Sequence, residues 1–171
     1  DVVIAQGSDS GGHSGTVGTF TLVPEVVAMA EGTKTLVLCG GGVSGGRHLA
    51  AAIAMGAAGV WTGTVWLATH ESETEMLLKQ RLVDSQAEDA IQSRAMSGRP
   101  IRQLRSKWSD AWKQPGAPEP LPMPLQPMLV GDIMEGIRQA RMEDWMTTPA
   151  GQSVVGIHAI RPAADVVYSM V

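Results

Sequence analysis

Three glycine clusters each follow a short apolar run: Gly11-Gly12-His13 after 2–6, Gly40-Gly41-Gly42 after 35–39, and Gly63-Thr64 after 57–62. Glycine at the end of a strand lets a backbone N–H approach an anionic oxygen with no Cβ in the way. A helix beginning just beyond adds its positive end. Gly41 and Gly42, with Gly63 and Thr64, therefore form a candidate phosphate cradle. The alternative is that these glycines serve only tight turns. Two clusters in consecutive units favour phosphate. His13, in the segment Gln6 to Gly15 (QGSDSGGHSG), is the candidate general base, because neutral imidazole can take a proton from a weak carbon acid near pH 7. A lone loop histidine ordinarily does no more than face solvent.

The elements that must hold these loops read as a repeat of strand, glycine loop and helix. The runs 2–6, 35–39 and 57–62 lack polar alternation, which predicts parallel strands covered on both faces. Helical spacing predicts helices over 23–31, with Pro24 in the first turn, and over 46–56, with Gly56 as its C-cap. Beyond Ser72 a long polar-faced helix, in one piece or two, is expected over 73–97, and a basic one over 100–113 carrying Trp108 and Trp112 on one face. Six prolines between Pro115 and Pro127 predict an extended crossing segment. Helices are expected over 130–145 and from Ala163 onward. The resulting division is 1–72 for the sheet, 73–148 for a helical and proline-rich insertion, and 149–171 for a returning tail. The chain opens at Asp1 directly into an apolar run, so a piece of a longer polypeptide is expected. Three parallel strands do not close a barrel, which ordinarily takes eight.

The text VVIAQGSDSGGHSG, then LVPEVV, then VLCGGGVSGGRHLAAAIAMGAAGVWTGTVWLATHES, resembles the nitronate monooxygenase family, whose framework is shared by FMN-dependent enoyl reductases. The likeness is nearly unbroken over residues 1–73 and looser to Gly151-Gln152. It implies an FMN-binding TIM (β/α)8 barrel with an added helical segment, of which this chain supplies the last three strands. By the same resemblance His13 is the catalytic histidine. Gln6, Gly11, Gly41, Gly42, Trp61, Thr62, Gly63 and Thr64 are the cofactor-binding residues, and no metal is expected. Asp9-Ser10 stand where Glu-Ala is common, Trp61 where Gln is, His70 where Pro is and Trp66 where Phe is. These departures leave the substrate open. A monooxygenase-type oxidoreductase acting on a carbon acid or its anion, an NAD(P)H-dependent enoyl reductase, a ring-degrading flavoenzyme and a non-catalytic half-barrel subunit all stay in view. The implied partners are a small-molecule substrate, O2 or NAD(P)H, and the missing half-barrel, supplied by the same polypeptide or another chain. A homo-oligomer is compatible with the same framework.

Composition narrows the rest. A 171-residue chain with 44% hydrophobic and 18% charged residues can bury a sizeable core. A net charge of −4 argues against nucleic acid. No apolar run is long enough for a membrane span. The single cysteine, Cys39, rules out an internal disulfide, fits a cytoplasmic setting and reads as a small core residue. His48, His70 and His158 lack metal-ligand spacing. Arg99, Arg102, Arg105 and Lys107 read as a solvated or paired basic face, and the ten methionines as adaptable packing.

Overall fold

A computed structural model describes residues 1–171. Strands β1 (Val2–Gln6), β3 (Leu36–Gly40) and β4 (Gly59–Trp61) form a parallel sheet in the order β1-β3-β4. Helices α1 (Thr19–Ala30) and α2 (Gly46–Ala54) pack on one face of it. Between sheet and helices lies a core of Ala5, Val23, Val37, Cys39, Val43, Ala52 and Ala57. A fully buried valine such as Val23 contributes about 1.5–3 kcal/mol over its exposed state. The opposite face is also apolar but bare, with Val2 58% and Leu36 55% exposed. Coverage on both faces is therefore not met within these residues: the strands are apolar throughout, but helices cover only one side.

Helix α1 begins a turn earlier than periodicity predicts, because the Asp9 carboxylate accepts the Thr19 N–H at 2.8 Å. This bond caps the first turn from outside the helix. Pro24 consequently lies inside the helix rather than in its first turn.

The largest departure follows Ser72. Only Met76–Asp84 (α4) is α-helical in 73–97. Ala90–Ser93 (β5) and Ile101–Leu104 (β6) are strands, joined in an antiparallel sheet whose third strand is Gly12–His13 (β2), in the order β2-β6-β5. The expected helix over 100–113 shrinks to Lys107–Ala111 (α5). Ile91 and Ile101 suit strands, and β6 gains partners on both sides, which helical periodicity in a single segment cannot reveal. The proline-rich stretch runs irregularly to Pro124, then enters α6 (Leu125–Gln139), with Pro127 tolerated in the first turn. Helix α7 (Ala163–Tyr168) starts where expected, after the short α3 (Thr64–Leu67) and the tail are passed. No helix is long and apolar enough to cross a membrane.

The tail ties the two sheets together. Leu104 N–H donates to Thr148 O and Ala150 N–H to Arg102 O, so residues 148–150 run beside β6. Gly151 N–H then donates to the Thr64 hydroxyl at 2.9 Å, and Gln152 N–H to Asp9 O at 2.9 Å. At this crossing Gly11 and Gly151 lie backbone to backbone. A Cβ on Gly11 would sit 2.8 Å from the Ala150 carbonyl carbon, and one on Gly151 would sit 2.7 Å from Asp9 O. Gly11→Ala should thus destabilise the fold by about 1–3 kcal/mol. Gly15→Ala, whose Cβ meets nothing within 4 Å, should leave stability within about 1 kcal/mol. Urea unfolding of the two variants checks the contrast.

Candidate functional site

Parallel register sets the site. Gln6 pairs with Gly40 across β1 and β3, and Gly40 with Trp61 across β3 and β4, so the three residues end adjacent strands in one row. The carboxyl ends of parallel strands are where α/β folds bind ligands. There a cleft of about 250 Å³ opens, lined by Gln6, Gly11, Gly41, Trp61, Thr62, Gly63 and Thr64 among the expected residues. Ser10, Gly12, Gly40, Val43, Leu67, Pro149 and Ser153 complete it. Gly42 lies just behind, where a Cβ would meet the Asp9 side chain at 3.7 Å. Pro149 and Ser153 come from the tail, far away in sequence, and no local motif points to them.

Glycine is required at Gly41 twice over. Its φ is +99°, and a Cβ would lie 2.9 Å from both Ser10 N and the Thr19 hydroxyl. Gly42 follows at φ +73°. The N–H groups of Gly41, Gly42, Val43, Thr62 and Gly63 donate to nothing in the chain. Successive unpaired N–H groups in such a bend form an anion-binding concavity. Thr62 is steadied by Trp66, whose indole N–H reaches both its carbonyl and its hydroxyl at 2.9 Å. The Thr64 hydroxyl accepts from Gly151, which leaves its own proton without a partner in the chain.

Gln6 works inward on the loop. Its amide nitrogen donates to the Ser10 hydroxyl at 3.0 Å and to His13 O at 3.1 Å, with Gly11 O at 3.5 Å. The Ser10 hydroxyl passes its own proton to Gly7 O at 2.7 Å. His13 is exposed at the rim, one residue on from Gly12, and does not itself line the cleft. Its Nε2 lies 2.8 Å from the hydroxyl of Ser97, a residue of the turn between β5 and β6.

Arg102 is paired rather than solvated. It sits half-buried on β6, its Nε donating to Ser8 O at 2.8 Å and its Nη1 reaching Ala90 O, so it ties the loop to the second sheet. Its burial draws the guanidinium pKa down, against the pull of the Asp9 charge. Arg105 and Lys107 do stay exposed, paired with Asp110 and Asp144. Trp108 is core, tilted against Trp112 with ring centres 5.8 Å apart. No group of three or more His, Cys, Asp and Glu side chains is placed to hold a metal.

With this geometry in view, the known proteins decide the family. The nitronate monooxygenase family model matches residues 1–171. The chain belongs to the nitronate monooxygenase family. A Mycobacterium tuberculosis protein that carries the name of a monooxygenase is 43% identical over 177 residues, covering 100% of this chain and 47% of its own length. A Staphylococcus haemolyticus protein named as a nitronate monooxygenase is 32% identical over 164 residues, covering 90% of this chain and 45% of its own. The chain spans about half the length of the curated relatives it matches. Among solved structures, nitroalkane oxidase from Streptomyces ansochromogenes superposes with a TM-score of 0.82 at 30% identity, covering 99% of this chain and 50% of that one. FabK from Thermotoga maritima gives 0.76 at 29%, covering 99% and 53%. Family membership implies a flavin cofactor, and the unpaired N–H groups with a glycine cradle fit its anionic end.

Cys39, next to last in β3, is buried at 1% exposure. Burial, and secondarily the Asp9 charge, raise its thiol pKa above the ordinary range. The folded thiol therefore holds its proton longer than the unfolded one. Stability from this source is complete below the ordinary thiol pKa and is lost as pH rises toward the folded value. Ellman's reagent at pH 8 should leave Cys39 unmodified in the native protein and label it fully in guanidinium.

Proposed function

We propose that this chain is the phosphate-binding and histidine-bearing part of an FMN-dependent oxidoreductase of the nitronate monooxygenase type. The observation that carries the reading is the row Gln6, Gly40 and Trp61 at the carboxyl ends of parallel strands, flanked by N–H groups with no partner in the chain. In this reading β1, β3 and β4 are the last three strands of a (β/α)8 barrel. Their bare apolar face is closed by strands of the same longer polypeptide or of a partner chain, residues 73–148 are the added segment, and the setting is cytoplasmic. The coverage of about half of each relative supports it.

The residues divide the work. Gly41, Gly42, Thr62 and Gly63 offer N–H groups to the phosphate, and the Thr64 hydroxyl offers its free proton. Trp61, 59% exposed at the cleft, offers a flat apolar surface. Gln6 and Gly11 hold the loop that approaches the ring. FMN, when bound, supplies the redox chemistry, taking electrons from substrate and passing them to O2 or another acceptor. His13 receives the proton of a carbon acid at the rim of the cleft, or steadies the anion already formed. His13→Ala should cut turnover by about 10²-fold or more with the flavin still bound. Undiminished turnover would remove His13 from the mechanism.

The cradle has its own test. Gly63 has open space at its Cβ and a negative φ of −124°, so Gly63→Glu adds a carboxylate without a clash. FMN affinity, measured by flavin fluorescence, should fall at least about fivefold, since like charges a few ångströms apart repel by ~1 kcal/mol or more. Equal affinity would place the phosphate elsewhere.

The likeness to FabK favours a second reading, in which NAD(P)H reduces the flavin and an activated double bond is then reduced. Anaerobic bleaching of the flavin by NAD(P)H alone separates this reductase from the monooxygenase.

A further inference from the structure

The contact between His13 and Ser97 has a direction that can be worked out from the protons available. A serine hydroxyl has one proton to give and two lone pairs to accept with. Ser97 Oγ lies 3.1 Å from Arg99 O and 3.4 Å from Arg99 N, as well as 2.8 Å from His13 Nε2. If Ser97 donates to Arg99 O, its two lone pairs receive Arg99 N–H and His13 Nε2–H, and every valence is used. If it donates to His13 instead, Arg99 O loses this partner and one lone pair of a buried hydroxyl stays empty. Buried polar groups settle into the arrangement that satisfies them, so the first is the stable one. The imidazole nitrogen bound to Ser97 is then the protonated one, and Nδ1, which makes no hydrogen bond in the chain, carries the lone pair.

We propose that Ser97 is a positioning residue for His13: its hydroxyl accepts from Nε2–H, locks the Nε2–H tautomer and leaves Nδ1 as the atom that takes the substrate proton. In the proton transfer the substrate C–H bond breaks, an Nδ1–H bond forms, and the electron pair stays with the substrate. This rests on His13 being the base.

The fold holds Ser97 firmly for such a role. Its turn is braced from α6, where the buried Gln126 side chain donates to Ala95 O at 2.8 Å and accepts Leu121 N–H at 2.9 Å. Gly98, at φ +77°, lies so close under the crossing chain that a Cβ would meet Leu121 O. Gly98 N–H donates to Arg94 O at 2.8 Å, and Arg94 Nε donates back to Gly98 O at 3.0 Å. The proline-rich segment thus acts as a strap across the turn that carries the hydroxyl.

The decisive measurement is ¹⁵N NMR of the His13 ring in the neutral state, assigned against His13→Ala, alongside steady-state kinetics of the flavin-loaded enzyme. In the unmodified protein Nε2 should be the protonated nitrogen and Nδ1 the bare one. Ser97→Ala should give a mixture of tautomers and a kcat at least about tenfold lower, since a histidine base held in the wrong tautomer loses orders of magnitude. Ser97→Thr should restore both the tautomer and most of kcat, which a packing role alone would not require. An Nδ1–H tautomer in the unmodified protein overturns the proposal whatever the kinetics. So does a Ser97→Ala variant with an unchanged tautomer and unchanged kcat. A fully active His13→Ala overturns the base assignment itself, and with it the catalytic meaning of the Ser97 contact, even with the tautomer as stated.

Discussion

The backbone crossing of Gly11 and Gly151 is the constraint around which this molecule is arranged. Two chain segments meet there with no side chain between them, a Cβ on either being under 3 Å from the other's backbone. The first segment continues into β2 and His13; the second has just run along β6 and goes on to Ser153 in the cleft wall. Because they touch, the parallel sheet with its N–H groups and the antiparallel sheet with its Ser97 turn keep one fixed relation. Close contact without side chains suits this, since glycine-to-glycine contact has no rotamers through which to relax.

Around the crossing, polar side chains have been turned toward the backbone rather than toward a ligand. Gln6 spends its amide protons on loop carbonyls and a hydroxyl, Asp9 caps α1, Arg102 ties Ser8 to the second sheet, and Thr64 receives Gly151. Each such bond is worth about 1 kcal/mol net, more for the charged groups, but together they hold a glycine-rich loop that has little intrinsic preference for one shape. What faces the cleft is therefore largely main chain. That suits an anion and a flat ring, which are recognised by N–H groups and by apolar surface more than by specific side chains.

Much of the first 70 residues could be read without coordinates. The apolar runs at 2–6, 35–39 and 57–62 are strands within a residue or two, because a chain with no polar residue over four or five positions must be buried or awaiting burial. The glycine clusters were legible as strand-end loops for the same local reason. The stretch beyond Ser72 was not, since β5 and β6 owe their form to each other and to two residues of a loop nearly ninety positions earlier. Pairing partners so distant leave no period in either segment.

The amino-acid sequence alone determined the residue types at the cleft and the strand–glycine–helix order, because these depend on local burial patterns and short-range spacing, and its likeness to known motifs pointed to the family. Only the tertiary structure decided that the His13 loop is a strand of the second sheet, that the tail supplies Pro149 and Ser153, and that Ser97 meets the imidazole. Those facts depend on which backbone groups find partners after collapse. Unpaired N–H and C=O groups must be satisfied by whatever segment comes near, and nearness is a property of the fold.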